Sequence, residues 1–174
     1  MPAAAAHAVF PVTNTTVTLR KARVEDCDVM LRMIEALAEY QGVGDRVHVT
    51  AAELRRAGFG PVPQFEAIIA DDHGKPVGLA MFQTHYTIWD GSSSLQITDL
   101  FVDEGARGTG VGFRLVQEVA RTARERDCTS LQLNMVHANS SRISLDRIGF
   151  VHQDDLLHYR LDAAAFRKLL EADR

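Results

Sequence analysis

The sequence predicts a mixed α/β fold of the α+β kind, a mostly antiparallel sheet flanked by helices, and three observations lead there. Between residues 65 and 102 three apolar runs of strand length are separated by two turn signals, Asp72-His73-Gly74-Lys75 and Asp90-Gly91, the pattern of consecutive hairpins. On both sides of that block apolar residues recur at helical spacing. The chain has 174 residues, enough for one core and too few for two independent ones.

Residues 1–15 are Ala-rich and then irregular, which predicts a mobile tail ahead of a single domain over 16–174. Val17-Thr18-Leu19-Arg20 alternates as a half-buried strand does. Met30, Leu31, Met33, Ile34, Leu37 and Ala38 share one face of a first helix, with Glu25, Asp26 and Asp28 at its dipole-favoured start and Gly42 past its end. Thr50-Ala51-Ala52-Glu53 is a capping box opening a short second helix that stops at Gly58-Phe59-Gly60-Pro61. Strands are expected at 65–70, 77–86 and 95–102. Leu115, Val116, Val119, Ala120 and Ala123 mark a third helix, and 130–136 another strand. A short helix over 140–148 closes at Gly149, two short strands follow at 150–152 and 156–161, and a last helix begins at Asp162.

Composition excludes several classes. Hydrophobic residues make up 46% and charged residues 24%, unlike a disordered chain. No apolar run is long enough to span a membrane and the first residues lack the basic and apolar regions of a signal peptide, so a cytoplasmic protein is expected. Cys27 and Cys128 lie far apart without metal spacing, which predicts two buried structural thiols and no metal site. A net charge of −4 argues against nucleic acid as the partner.

Arg107-Gly108-Thr109-Gly110-Val111-Gly112 falls between a strand and a helix. Closely spaced glycines there let the backbone turn tightly and aim several N–H groups at one anion, with the helix dipole adding to the attraction. The alternative is a purely structural turn. No Lys-Ser or Lys-Thr follows, so it is not a Walker loop, and Leu115 stands where the dinucleotide fingerprint needs its last glycine.

With Asp99-Leu100-Phe101-Val102 before it, this R-x-x-G-x-G segment resembles the GCN5-related N-acetyltransferase family. More narrowly the chain looks like the diamine branch, the spermidine/spermine or thialysine acetyltransferases. That likeness runs through Leu37-Ala38-Glu39-Tyr40, Ala57-Gly58-Phe59-Gly60, Gly78-Leu79-Ala80-Met81, Tyr86, Trp89, Gly91 and Tyr159-Arg160-Leu161-Asp162. The resemblance implies a sheet whose central strands splay, with the thioester of acetyl-CoA as co-substrate lying in the gap. Backbone groups of Leu100, Phe101 and Val102 would align the pantetheine and polarise the acetyl carbonyl. Arg107, Gly108, Thr109, Gly110, Val111, Gly112 and Phe113 would hold the pyrophosphate, and Asn139, with Ser140, Ser141 and Arg142, would touch the cofactor from the far side. Backbone donors aimed at a developing oxyanion stabilise it without side-chain reorganisation. A homodimer acting on a small-molecule amine by direct attack in a ternary complex is also implied.

Two departures from the family pattern matter. Leu145 stands where the family places a tyrosine to protonate the departing thiolate. His137 is then either a substitute acid or an exposed loop histidine. Where the diamine enzymes carry acid pairs, this chain has Tyr40-Gln41 and Thr98-Asp99. Asp99, Asp154 and nearby Asp45 remain to bind an amine or relay its proton, which points to a smaller or less charged acceptor than spermine, with Asp99 alternatively a structural strand-end acid. Tyr86 and Trp89 are expected as cross-strand aromatics or as a wall of the acceptor cleft. A CoA-binding regulatory or low-activity module lacking the tyrosine acid is the alternative to an active enzyme.

Overall fold

The computed structural model describes residues 16–89, 91–135, 142–155 and 157–171, with no side-chain account for 142–144. The expected tail at 1–15 lies outside them. Ten elements follow in order: β1 (Val17–Lys21), α1 (Cys27–Tyr40), α2 (Ala51–Phe59), β2 (Glu66–Asp72), β3 (Lys75–Thr87), β4 (Ser92–Val102), α3 (Val111–Glu125), β5 (Ser130–Leu133), α4 (Arg142–Ile148) and α5 (Ala163–Glu171), with single 3-10 turns at Val24–Asp26, Gly44–Arg46 and Glu104–Ala106. The strands form one sheet in the order β1-β2-β3-β4-β5, antiparallel throughout except for the parallel pair β4–β5.

The local signals act as expected. The β2–β3 turn places both His73 (φ 51°) and Gly74 (φ 84°) in the left-handed region, the geometry that suits the twist of a two-residue hairpin. Thr50 Oγ1 accepts from the Glu53 N–H while Glu53 accepts from the Thr50 N–H, so α2 opens on a complete capping box. Asp162 Oδ1 accepts from the Ala164 and Ala165 N–H groups at 2.9 and 2.8 Å, which starts α5. Arg20 on β1 grips Asp26 at 2.7 and 2.9 Å, fixing the entry to α1. That guanidinium holds the Asp26 carboxyl below the usual carboxylate range, against the opposing effect of burial.

Each face of the sheet has its own core. Ile68, Ala70, Ala80, Phe82, Leu95 and Ile97 meet Val111, Leu115, Val116 and Val119 of α3. On the other face Ile69, Leu79, Met81 and Phe101 meet Cys27, Met30 and Met33 of α1 and Leu54 of α2. Of the two thiols expected to be buried, Cys27 is buried and Cys128 only partly so. Gly78 makes the α3 approach close, since a Cβ there would lie 3.0 Å from Leu115 and 3.2 Å from both Val111 and the Phe101 carbonyl.

After residue 133 one expected strand is shortened and two do not form among the described residues. The strand expected at 130–136 is only Ser130–Leu133, because its partner β4 turns away beyond Ile97, the last position it pairs. The described residues of 150–152 and 156–161 form no strand at all. Phe150 packs against the α3-side core, but no described strand offers the stretch a ladder, and Val151 (77%), Leu157 (76%) and Tyr159 (85%) are exposed. A short apolar alternation becomes a strand only when partners satisfy its backbone and cover one face.

Candidate active site

The site grows out of an irregularity in β4. Met81 of β3 pairs with Asp99 and the next residue, Phe82, pairs with Ile97, so Thr98 is an extra residue in the ladder. Such a bulge bends the strand and re-aims the side chains that follow. Leu95 and Ile97 face α3, whereas beyond the bulge Phe101 faces α1 and Leu100 and Val102 pack toward α3. Asp99 shares the face of Phe101 by alternation. The bend also separates β4 from β5. Pairing runs from Ser94↔Ser130 to Ile97↔Leu133, and β4 continues to Val102 without β5 beside it.

Backbone directions along this open stretch follow from two bonds. The Asp103 N–H donates to the Val77 carbonyl of β3 at 2.9 Å. The Val102 carbonyl, one residue earlier, faces the opposite way and accepts from Arg107 Nε at 3.1 Å. Since successive peptide groups of a strand alternate sides, Leu100 and Val102 turn their N–H and C=O groups to the open edge. Phe101 turns its own toward β3 and buries its ring.

The glycine loop borders the same edge. Asp103 accepts from the Gly105 N–H at 3.2 Å and Thr109 Oγ1 donates to the Ala106 carbonyl at 2.7 Å. Gly108 (φ 77°) and Gly110 (φ 90°) then take left-handed turns that side-chain-bearing residues adopt with difficulty. Gly110 is the N-cap of α3, whose intrahelical bonding begins with the Arg114 N–H on the Gly110 carbonyl at 3.0 Å. The first turn of α3 abuts the end of β4, as a Cβ on Gly112 would touch Val102 at 3.5 Å. Val111 is buried beneath it. Arg107 leans across the loop until its guanidinium carbon lies 4.5 Å from the centre of the Tyr40 ring, at the end of α1.

A strand end that runs on past its parallel neighbour, two outward peptide groups and a glycine-capped helix start thus border one edge that no described strand covers, a candidate gap for a ligand. The family model for the acetyltransferase (GNAT) family matches residues 30–150. The chain belongs to that family. A thialysine N-epsilon-acetyltransferase of Sus scrofa is 31% identical over 138 residues, covering 75% of this chain and 81% of that one. A spermidine/spermine N(1)-acetyltransferase-like protein 1 of Homo sapiens is 32% identical over 133 residues, which are 72% of this chain and 19% of that longer one. Among solved structures, an integron cassette protein from the mobile metagenome of V. cholerae shares the fold with a TM-score of 0.75 at 22% identity, covering 91% of this chain and all of that one. The protein is therefore an N-acetyltransferase similar to the diamine branch.

The other candidate residues of the acetyltransferase are placed as follows. Thr98 is exposed on the bulge and Asp99 is half-buried behind it. Burial pushes the Asp99 carboxyl above the usual carboxylate range, and a hydrogen bond with Thr98 only partly offsets this. Tyr40 is half-exposed, and Gln41 caps α1 with its N–H on the Leu37 carbonyl at 3.0 Å. Asp45, also exposed, sits in the 3-10 turn after α1. Asp154 lies in the irregular stretch after α4, where its carboxylate pairs with His152 at 2.6 Å. His137, Asn139, Ser140 and Ser141 lie outside the described residues, and Arg142 enters only as the first residue of α4. Leu145 of α4 is buried and its carbonyl accepts from the Gly149 and Phe150 N–H groups at 3.1 Å. Tyr86 faces Ser93 across the hairpin and Trp89 is 99% exposed, so the two do not form the packed cross-strand pair expected.

Two features escaped the sequence reading. The bulge at Thr98 has a signal there, because the apolar spacing 95, 97 jumps to 100 and 102. The Arg107–Tyr40 contact has none, since it joins residues far apart in the chain.

Proposed function

We propose that the protein is an acetyl-CoA-dependent N-acetyltransferase that transfers the acetyl group to a primary amine of a small diamine-like or amino-acid-like molecule. The observation that carries the reading is the open half of β4, whose Leu100 and Val102 peptide groups face the gap beside the start of α3. The residues present fit the cofactor. Open space surrounds the position a Cβ would take on Gly108, so the loop leaves room for a pyrophosphate, and Arg107 adds a permanent cation. Phe113, in the first turn of α3, is the last proposed pyrophosphate contact, while Asn139, Ser140 and Arg142 are the proposed contacts from the far side.

The reaction is direct attack. An amine with a pKa near 10.4 must shed a proton first, at a cost of about 4–5 kcal/mol at pH 7. Asp99, its carboxyl raised by burial, is the proposed acceptor of that proton, alone or through water. The nitrogen lone pair then bonds the acetyl carbon, outward N–H groups of β4 stabilise the oxyanion, the carbon–sulfur bond breaks, and the nitrogen gives up its second proton to water to leave the amide. Sulfur leaves as a thiolate of pKa near ~8.5, which needs little help at neutral pH. His137 is the proposed proton source for it. Cys27 is fully buried and burial pushes its thiol up, the reverse of what a nucleophile needs, which supports a ternary complex over an acetyl-enzyme.

Tyr40, Gln41, Thr98 and Asp154 are the proposed acceptor contacts. Amide and hydroxyl groups at Gln41 and Thr98, in place of carboxylates, support an acceptor less charged than spermine. We further propose one acetyltransferase domain over 16–174 in a cytoplasmic homodimer. Exposed Leu157, Tyr159, Phe166, Leu169 and Leu170 offer the apolar surface a second copy would cover. Thiol release from acetyl-CoA over a panel of primary amines tests the reading: release dependent on amine supports it, CoA binding without release leaves the regulatory module, and no CoA binding contradicts both.

A further inference from the structure

We infer that Tyr40 is a positioning residue for the CoA pyrophosphate, acting through Arg107, and that it ties the cofactor loop to the acceptor side of the cleft. The inference deepens the acetyl-CoA reading and rests on it. Two contacts hold the Arg107 guanidinium: the Tyr40 ring 4.5 Å from its carbon and the Val102 carbonyl 3.1 Å from Nε. An aromatic face attracts a cation through its quadrupole without accepting its N–H groups. Of the five guanidinium N–H donors, Nε–H is spent on β4, and the terminal nitrogens bond to none of the described residues. The side chain is thereby ordered in advance, with donors kept for an anion at the glycine loop.

The position of Tyr40 makes the contact more than a surface stack. It is the last residue of α1, followed by the Gln41 cap and by Gly42 at φ 68°. The last turn of α1 contains no basic residue of its own, and a helix C-terminus attracts a cation. Arg107, arriving from a loop 67 positions later in the chain, supplies that cation. A long flexible side chain loses rotamer freedom when it binds an anion, and holding it beforehand lowers that cost. The same contact works in reverse. An anion that fixes Arg107 also fixes the Tyr40 ring, which is a wall of the proposed acceptor site, so cofactor and amine should favour each other's binding.

Calorimetry with CoA and with pantetheine, which lacks the pyrophosphate, tests this on wild type, Tyr40→Leu, Tyr40→Phe, Arg107→Ala and the Tyr40→Leu/Arg107→Ala double variant. Tyr40→Leu should weaken CoA about three- to tenfold, the range of a cation held over a partly exposed ring, and leave pantetheine unchanged. Tyr40→Phe, which keeps the ring, should stay within about twofold of wild type. In the Arg107→Ala background Tyr40→Leu should have no further effect, since the two residues act as one unit. Wild-type CoA affinity in Tyr40→Leu, an equal loss for pantetheine, or additive losses in the double variant overturns the inference while the acetyltransferase reading stands. Failure of wild type to bind CoA overturns the reading and the inference with it.

Discussion

The two halves of β4 share one strand and have opposite fates. From Ser94 to Ile97 the strand is paired on both sides, with β3 and with β5, and Leu95 and Ile97 are fully buried. From Thr98 to Val102 it keeps β3 and loses β5. The difference is one inserted residue. A bulge at Thr98 bends the strand, swaps the faces of the residues that follow and frees alternate peptide groups toward a gap. Buried backbone groups ordinarily need partners; the outward Val102 carbonyl takes Arg107 Nε, and outward N–H groups that pair with no described strand are suited to a ligand. The first half is built for stability, and the proposed chemistry belongs to the second.

Leu95→Ala breaks the comparison most severely. Removing this fully buried leucine, which packs from β4 onto α3, should cost about 2–5 kcal/mol, read by denaturant titration, while the folded fraction keeps its CoA affinity. A variant that loses CoA affinity in proportion would show that the halves are not separable.

Asp99→Asn probes the open half. As the amine's proton acceptor, Asp99 should contribute about a hundredfold or more to kcat/KM with little change in CoA affinity. Because burial raises its pKa in the folded protein, the acid limb of the wild-type pH profile should fall above the usual carboxylate range, and the Asn variant should lack that limb. The sign for stability is opposite. A raised folded-state pKa contributes stability below the unfolded-state value that is lost as pH rises through the folded one, so Asp99→Asn should be no less stable than wild type at neutral pH. An unchanged pH profile with equal turnover would make Asp99 structural.

Gly110→Val tests the loop beside the open half. At φ 90° a β-branched residue is strained, and its side chain would stand where the pyrophosphate approaches the backbone. CoA affinity should fall about tenfold or more, exceeding any loss in a folded control ligand such as pantetheine. Smaller still is the effect at the thiolate. His137→Ala should lower kcat about tenfold with CoA affinity intact, the signature of a contact made in the transition state. Wild-type turnover in that variant would return His137 to an ordinary loop position.

Much of this was legible before any coordinates. The capping box at Thr50 and Glu53, the hairpin at His73-Gly74, the apolar faces of α1 and α3 and the glycine loop are local devices, set by residues within a few positions of one another. The gap is not local. It arises because β5 stops at Leu133 while β4 runs on, and the strand expected at 130–136 concealed that ending. Residues 150–161 misled for the same reason: alternation predicts a strand, but only a neighbour in space makes one. The site residues divide along this line. Leu100, Val102 and Arg107 to Gly112 come together around the gap, whereas Asp154 is engaged with His152 in the irregular stretch. The Arg107–Tyr40 contact depends on the whole sheet bringing α1 to the loop, and no motif encodes it.

Amide hydrogen exchange in the presence of saturating CoA tests the division of β4 most directly. Ligand contacts slow exchange where they satisfy or cover N–H groups. Protection should rise at Leu100 and Val102 and through residues 107–113, and stay unchanged at residues 94–97, which the sheet already protects. Unchanged exchange at Leu100, Val102 and the loop, or the same pattern with ATP in place of CoA, would contradict the placement of the cofactor in the gap.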